Sequence, residues 1–198
     1  MLLFNMIMVI FLLLFLYFAA SFIAPYLRPN PFAKLSYQDR IGVLKRVMRR
    51  ESKRLGLKIP LKLKIADLEV NTKGACREAF GIIEINKGTL MGRWPDGVEL
   101  ACTVAHEVHH VKLFESVFFA NWETLARMTP EERKRIARIR HEFMHYKSYR
   151  KYGVKAYESQ LIEREARSYE SSRERFYRKH LRKIIAAYLR KQREQAKC

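Results

Sequence analysis

The segment His106-Glu107-Val108-His109-His110 constrains this chain more than any other. It reads HExxH and lies within residues 98–114, a stretch without glycine or proline. On a helix, residues four apart share a face, so His106 and His110 stand side by side with Cβ atoms about 5–6 Å apart. Two imidazoles so placed can reach one Zn2+ at about 2.0–2.1 Å each. Glu107, one residue on, then lies beside the metal's open position, where a general base takes a proton from water. Those three roles are the core of a zinc peptidase site, with one Zn2+ per chain. The flanking Val104, Ala105, Val108 and Val111 are uncharged, as a buried metal helix requires. Asp96, followed three residues later by Glu99, supplies an N-cap and a capping box for that helix. The plainer alternative is a core helix with two incidental histidines.

A second HExxH, His141-Glu142-Phe143-Met144-His145, follows. Arg133, Lys134, Arg135, Arg138 and Arg140 lead into it, and Lys147, Arg150 and Lys151 come after. A cationic setting opposes divalent metal binding, so this copy is expected to be structural or to support the first site rather than to hold metal itself. Cys102, four residues before His106, reads as a small buried apolar residue rather than a ligand.

Catalytic zinc usually takes a third protein ligand and keeps one position open. Leu113 and Ser116 stand where a metzincin would carry glycine and a third histidine, which excludes that arrangement. The remaining choice is a glutamate from a later helix: Glu158, Glu163, Glu165 or Glu170. Here His-Glu-Val-His-His, together with Glu163-Arg164-Glu165-Ala166, resembles the gluzincin peptidases, especially the HtpX-type membrane peptidases and the small minigluzincins. The resemblance spans residues 55–170. It implies Glu163 as the third ligand, with Glu165 the alternative. It also implies an aspartate four residues after the ligand that supports a histidine, and this chain has Arg167 there. The oxyanion-stabilising group stays open among His141, His145, Tyr146, Tyr149 and Tyr157.

The region before the metal helix reads as strand at residues 61–70, where apolar and polar residues alternate at first, and at residues 79–86, which are β-branched and bounded by Gly74 and Gly88. The expected fold is therefore α+β, mostly α, with a small sheet, an active-site helix and later helices in a zincin-like catalytic domain. An exposed sheet edge beside the metal would hold a peptide substrate as an added strand.

Residues 2–24 carry no charge, and 23 residues of helix cross a hydrocarbon core of about 30 Å. No Lys or Arg precedes this run and many follow it, so the positive-inside rule places Met1 outside and the catalytic domain in the cytoplasm, behind a single-pass anchor. An odd cysteine count, Cys76, Cys102 and Cys198, agrees with a reducing compartment. The expected organisation is an anchor at 1–24, a basic juxtamembrane segment at 25–54, the metallopeptidase domain at 55–170 and a basic amphipathic helix at 171–198.

With 39 Lys and Arg against 20 Asp and Glu, the net charge of +19 calls for an anionic partner. The anchor favours anionic lipid headgroups over nucleic acid. The competing reading is a nucleic-acid-associated, SprT-like protease or a basic binding protein without turnover, supported by charge alone. In the last third, Thr129-Pro130 starts a helix expected to end near Lys151 and Gly153. A further helix is expected from about Lys155 to Gln192, with Tyr177, Leu181, Ile184 and Tyr188 as its apolar stripe, lying either on a membrane or on the domain. Phe114, Phe118, Phe119 and Trp122 form an aromatic cluster, read first as core. The sequence does not reveal oligomeric state.

Overall fold

The computed structural model of the protein describes residues 30–92 and 95–196. The expected anchor at 1–24 lies outside the described residues. Among the described residues, no helix is long and apolar enough to cross a membrane. The elements are α1 Tyr37–Leu55, β1 Lys62–Ala66, β2 Gly74–Arg77, a 3-10 turn Glu78–Phe80, β3 Ile82–Asn86, α2 Lys87–Met91, α3 Gly97–Phe118, α4 Trp122–Ala126, α5 Pro130–Met144, α6 Tyr149–Glu158 and α7 Leu161–Gln195. The chain is thus mostly helical with one small sheet.

The HExxH segment forms the middle of α3. Asp96 caps this helix by accepting from the Val98 and Glu99 amides. Glu99 does not close the expected capping box but pairs with Lys73. Leu100, Ala101, Val104, Ala105, Val108 and Val111 are all fully buried, which takes in nearly every face of the helix. Such a helix has to be enclosed on several sides. Helices α1, α5 and α7 and strand β2 pack around it.

The sheet has the order β1-β3-β2, with β1 parallel and β2 antiparallel to the central β3. Ile83 and Ile85 of β3 alternate inward and are fully buried in the main core with α1, α3 and α7. Two strands were expected and both are present in shortened form. The third, β2, is too short and glycine-led to show a period. Gly74 is forced by proximity: a Cβ there would sit 2.6 Å from the Thr103 Cγ2 atom and 3.2 Å from the Glu107 Oε1 atom. Glu115, near the end of α3, accepts from the Lys58 and Ile59 amides at 2.7 and 3.1 Å and so ties the entry to the sheet onto the helix.

In the last third, α5 starts as expected, with a complete capping box between Thr129 and Glu132. It ends at Met144, well before the expected stop at Gly153. The Gln160 side chain bonds both the amide and the carbonyl of Lys147 and pins the chain in a turn there. Gly153 instead kinks α6, with φ 79°. The expected boundary at 170/171 falls inside α7, which runs unbroken to Gln195. Its apolar stripe is not free for a membrane surface, because Tyr177, Leu181 and Ile184 are buried in the main core. The segment assigned to a juxtamembrane role contains α1, whose Val43, Leu44 and Val47 are fully buried in the same core.

A fully buried carboxylate, Glu51, joins α1 to α7. It accepts from the hydroxyls of Tyr169 and Tyr177 and from the Arg173 guanidinium at 2.9 Å. Removing one member of a buried, hydrogen-bonded ion pair leaves the other charge uncompensated, at a cost of about 3–5 kcal/mol. Glu51→Leu is therefore expected to lower the unfolding free energy by an amount in that range. Urea denaturation measures it, and a loss below 1 kcal/mol would contradict the role given to this network.

Candidate metal centre

Helices α3 and α7 cross so that His106, His110 and Glu163 meet in the interior. One ligand atom from each lies within 4.8 Å of the others. The two Nε2 atoms are 3.0 Å apart. Glu163, 1% exposed, faces both rings, with Oε2 3.7 Å from the His106 Nε2 atom and Oε1 3.6 Å from the His110 Nε2 atom. The Glu163 Oε2 atom and the His110 Nδ1 atom are buried without a hydrogen-bond partner. A buried carboxylate oxygen left unsatisfied beside two converging ring nitrogens is costly on its own, and a cation between them would satisfy it. These three residues can hold a metal ion.

The second side of His106 is occupied. Its Nδ1 atom lies 3.0 Å from the Glu170 Oε2 atom. An ionised carboxylate only accepts, so Nδ1 carries a proton, and loss of the second proton from Nε2 would leave a lone pair aimed inward for a metal. Burial works against a charge on His106, but Glu163 and Glu170 outweigh it and raise its pKa to about 10. His110 has no such support, and burial followed by the His106 charge holds it neutral. Burial likewise opposes ionisation of Glu163, yet His106, His110, Tyr157 and Tyr146 keep it charged, well below the usual carboxylate range.

Glu107 lies beside the centre on α3 and against β2, where its Oε1 atom approaches Gly74. Burial is the main cause raising its pKa to about 7, and the nearby His106 charge and a hydrogen bond from the Cys76 thiol counter part of that rise. Cys76, on β2, also donates to the Glu78 Oε1 atom at 3.3 Å. Across the centre, Tyr146 donates to the Glu163 Oε1 atom at 2.8 Å, and Tyr157 makes a second phenol contact with the same carboxylate. Burial and the Glu163 charge push both phenols well above their ordinary pKa, so both stay protonated donors.

The other candidates go elsewhere. Glu165, the alternative ligand, is two residues from Glu163 and so on the opposite side of α7, where both its oxygens engage the Arg135 guanidinium. It is corrected to a surface ion-pair partner. Glu158 pairs with Arg167 at 2.6 Å. Arg167, which replaces the aspartate of the resembled pattern, also lies over the Tyr157 ring. The second HExxH is kept apart from the centre. His141 and His145 stack on each other at 4.3 Å on the surface, while Glu142 accepts from the Ile162 amide at 3.0 Å and from Arg138. Glu142 thereby caps the start of α7 one residue before Glu163.

Sequence reasoning placed Glu170 only among possible ligands and missed its contact with His106. It follows Glu163 by two helical turns, so the two share a face, and that spacing was the available signal. Tyr146 and Tyr157 were two of five residues left open as oxyanion partners, and the sequence could not single them out, because the turn that delivers Tyr146 depends on Gln160. No protein-family model matches the chain, and neither a curated protein nor a solved structure matches it.

Partners that orient a metal-binding histidine typically contribute 10–100-fold in metal affinity. Glu170→Ala is expected to weaken Zn2+ binding by about that factor in chelator competition, with the circular dichroism unchanged, and Glu170→Gln, which keeps an acceptor, to restore part of it. An unchanged affinity in Glu170→Ala would remove the orienting role. The raised pKa of His106 also sets a sign. The metal-free chain holds an extra proton at neutral pH that a metal must displace, so affinity falls as pH falls. Calorimetry in buffers of different ionisation enthalpy is expected to show about one proton released per metal at pH 7. Uptake without proton release would contradict it.

Proposed function

We propose that this chain is a zinc-dependent endopeptidase of gluzincin type, held at a membrane by residues 2–24 with its catalytic unit in the cytoplasm. The observation that carries the reading is the buried His106–His110–Glu163 cluster with Glu107 beside it on the same helix. Three nitrogen and oxygen donors, one fewer than a closed structural site takes, suit a catalytic zinc. The resemblance to gluzincins rests on the same residues, with the support for His106 moved from position 167 to Glu170.

When bound, the metal would make a water acidic near neutral pH and polarise the scissile carbonyl. Glu107 is placed to take a proton from an attacking water and would later deliver it to the leaving amine. A carboxyl whose pKa sits near 7 can serve in both directions. The Tyr146 and Tyr157 hydroxyls, which donate to Glu163 here, would be released toward the charge that develops on the carbonyl oxygen once a metal takes up that carboxylate. Among the described residues, strand β2 has a neighbour on one side only. Its first residue, Gly74, lies against Glu107, and an extended substrate pairing on its open edge would present its backbone to the site.

The test is Glu107→Gln in the full chain, purified in detergent. Zinc is expected to remain at about one ion per chain by elemental analysis, with cleavage of an unstructured protein such as casein falling by at least about a hundredfold. Cleavage at the parent rate, or a parent chain that binds no zinc, defeats the proposal.

A further inference from the structure

We infer that the outer face of α4 and α5 is a docking surface for an anionic phospholipid bilayer. The inner face of α5 is already used: Ile139 is fully buried against Leu113, Val117 and Ile162, with Phe143 packed beside them. Arg133, Ile136, Arg140 and Met144 follow one another at spacings of three or four and form a second stripe, whose Ile136 also packs against the inner cluster and whose Arg140 lies over the Phe118 ring, while Arg133 and Met144 are exposed. Together with Trp122 and Leu125 of α4 they line an open groove of about 690 Å³. Nothing in the described chain covers it. Trp122 is 81% exposed, Met144 68% and the neighbouring Phe119 63%.

The chemistry of this face is mixed in a way that selects an occupant. Arg135 and Arg138 are engaged by Glu165 and Glu142, whereas Arg133 and Arg140 line the groove and Arg127, Lys134 and Lys147, close to it in sequence, are exposed, against the exposed Glu123 and Glu131. Cations alone would accept any polyanion. Another cationic face, with Lys179, Lys183 and Arg50 around His180, carries none of the described chain's exposed large apolar side chains. An amphipathic tryptophan flanked by arginines matches the boundary between headgroups and acyl chains, where the ring lies in the boundary and the cations meet phosphates. Charge complementarity and exposed apolar residues on one face together favour a bilayer over a nucleic acid. The surface needs neither the metal centre nor an inserted residue 2–24 segment.

The reporter is Trp122. The chain has two tryptophans, so the measurement uses the full chain in a Trp94→Phe background, reconstituted into vesicles. In equal parts phosphatidylcholine and phosphatidylserine, Trp122 emission is expected to shift to the blue and to be quenched by brominated acyl chains. In pure phosphatidylcholine the quenching is expected to fall by about an order of magnitude. The double variant Arg133→Glu, Arg140→Glu, checked for intact helicity, should lose it on the anionic vesicles too, and Lys179→Glu, Lys183→Glu should not. Three results would each overturn the inference: Trp122 remaining in water on anionic vesicles, equal quenching on neutral and anionic vesicles, or a Trp122 response to single-stranded DNA without one to lipid.

Discussion

Burial of α3 on almost every side is the constraint from which the rest of the structure follows. A helix with this many apolar positions cannot face water, so α1, α5, α7 and the sheet are arranged around it. The two histidines and the glutamate it carries are then taken out of water with it. Histidines tolerate that if they stay neutral or gain acidic partners, and the structure uses both solutions within one turn. His110 is held neutral, while His106 leans on Glu163 and Glu170. The centre is therefore a local concentration of carboxylates inside a chain of net charge +19.

Helix α7 has to meet two demands along its length. Its first turns bring Glu163 and Glu170 to α3, and its middle turns bring Arg173 and Tyr177 to Glu51 on α1. A straight helix fixes these contacts relative to each other, so its register is set at several points. Glu142 fixes its start and the Glu51 network its middle. This gives the second HExxH a physical purpose: its glutamate satisfies an amide at a helix N-terminus, where a negative charge is favoured, and its histidines, exposed on α5, take no part.

What could be read from the sequence was local. The HExxH spacing, the Asp96 and Thr129 caps and the apolar run of β3 each depend on residues within a few positions of one another, and each appears where expected. The choice between Glu163 and Glu165 needed the rotation of α7, which the sequence did not contain. The early end of α5 depended on Gln160 binding Lys147, a contact between residues 13 apart that has no periodicity. Glu51 looked like one more polar residue in a basic helix, because its partners lie more than a hundred positions away. One helix was expected from about Lys155 to Gln192, and only the domain boundary placed at 170/171 falls inside α7. That boundary marks where acidic residues serve the centre, not where the helix stops.

Position 167 carries an arginine where the resembled pattern has an aspartate, and the carboxylate that reaches His106 is that of Glu170. An aspartate one turn after Glu163 would reach a histidine with a short side chain. Here the carboxylate comes from two turns on, and a glutamate's extra methylene spans the added distance to His106. The vacated position carries an arginine that is held by Glu158 and covers the ring of Tyr157. A positive charge placed directly beside the centre would compete with a metal ion, and the Glu158 pairing draws it outward. The same substitution thus removes one orienting group and braces another, the phenol that meets Glu163 from the opposite side. The positions of Glu170 and Tyr157 are for that reason linked through α7, and changes at residue 167 should be felt first in the orientation of Tyr157 rather than in the metal ligands themselves.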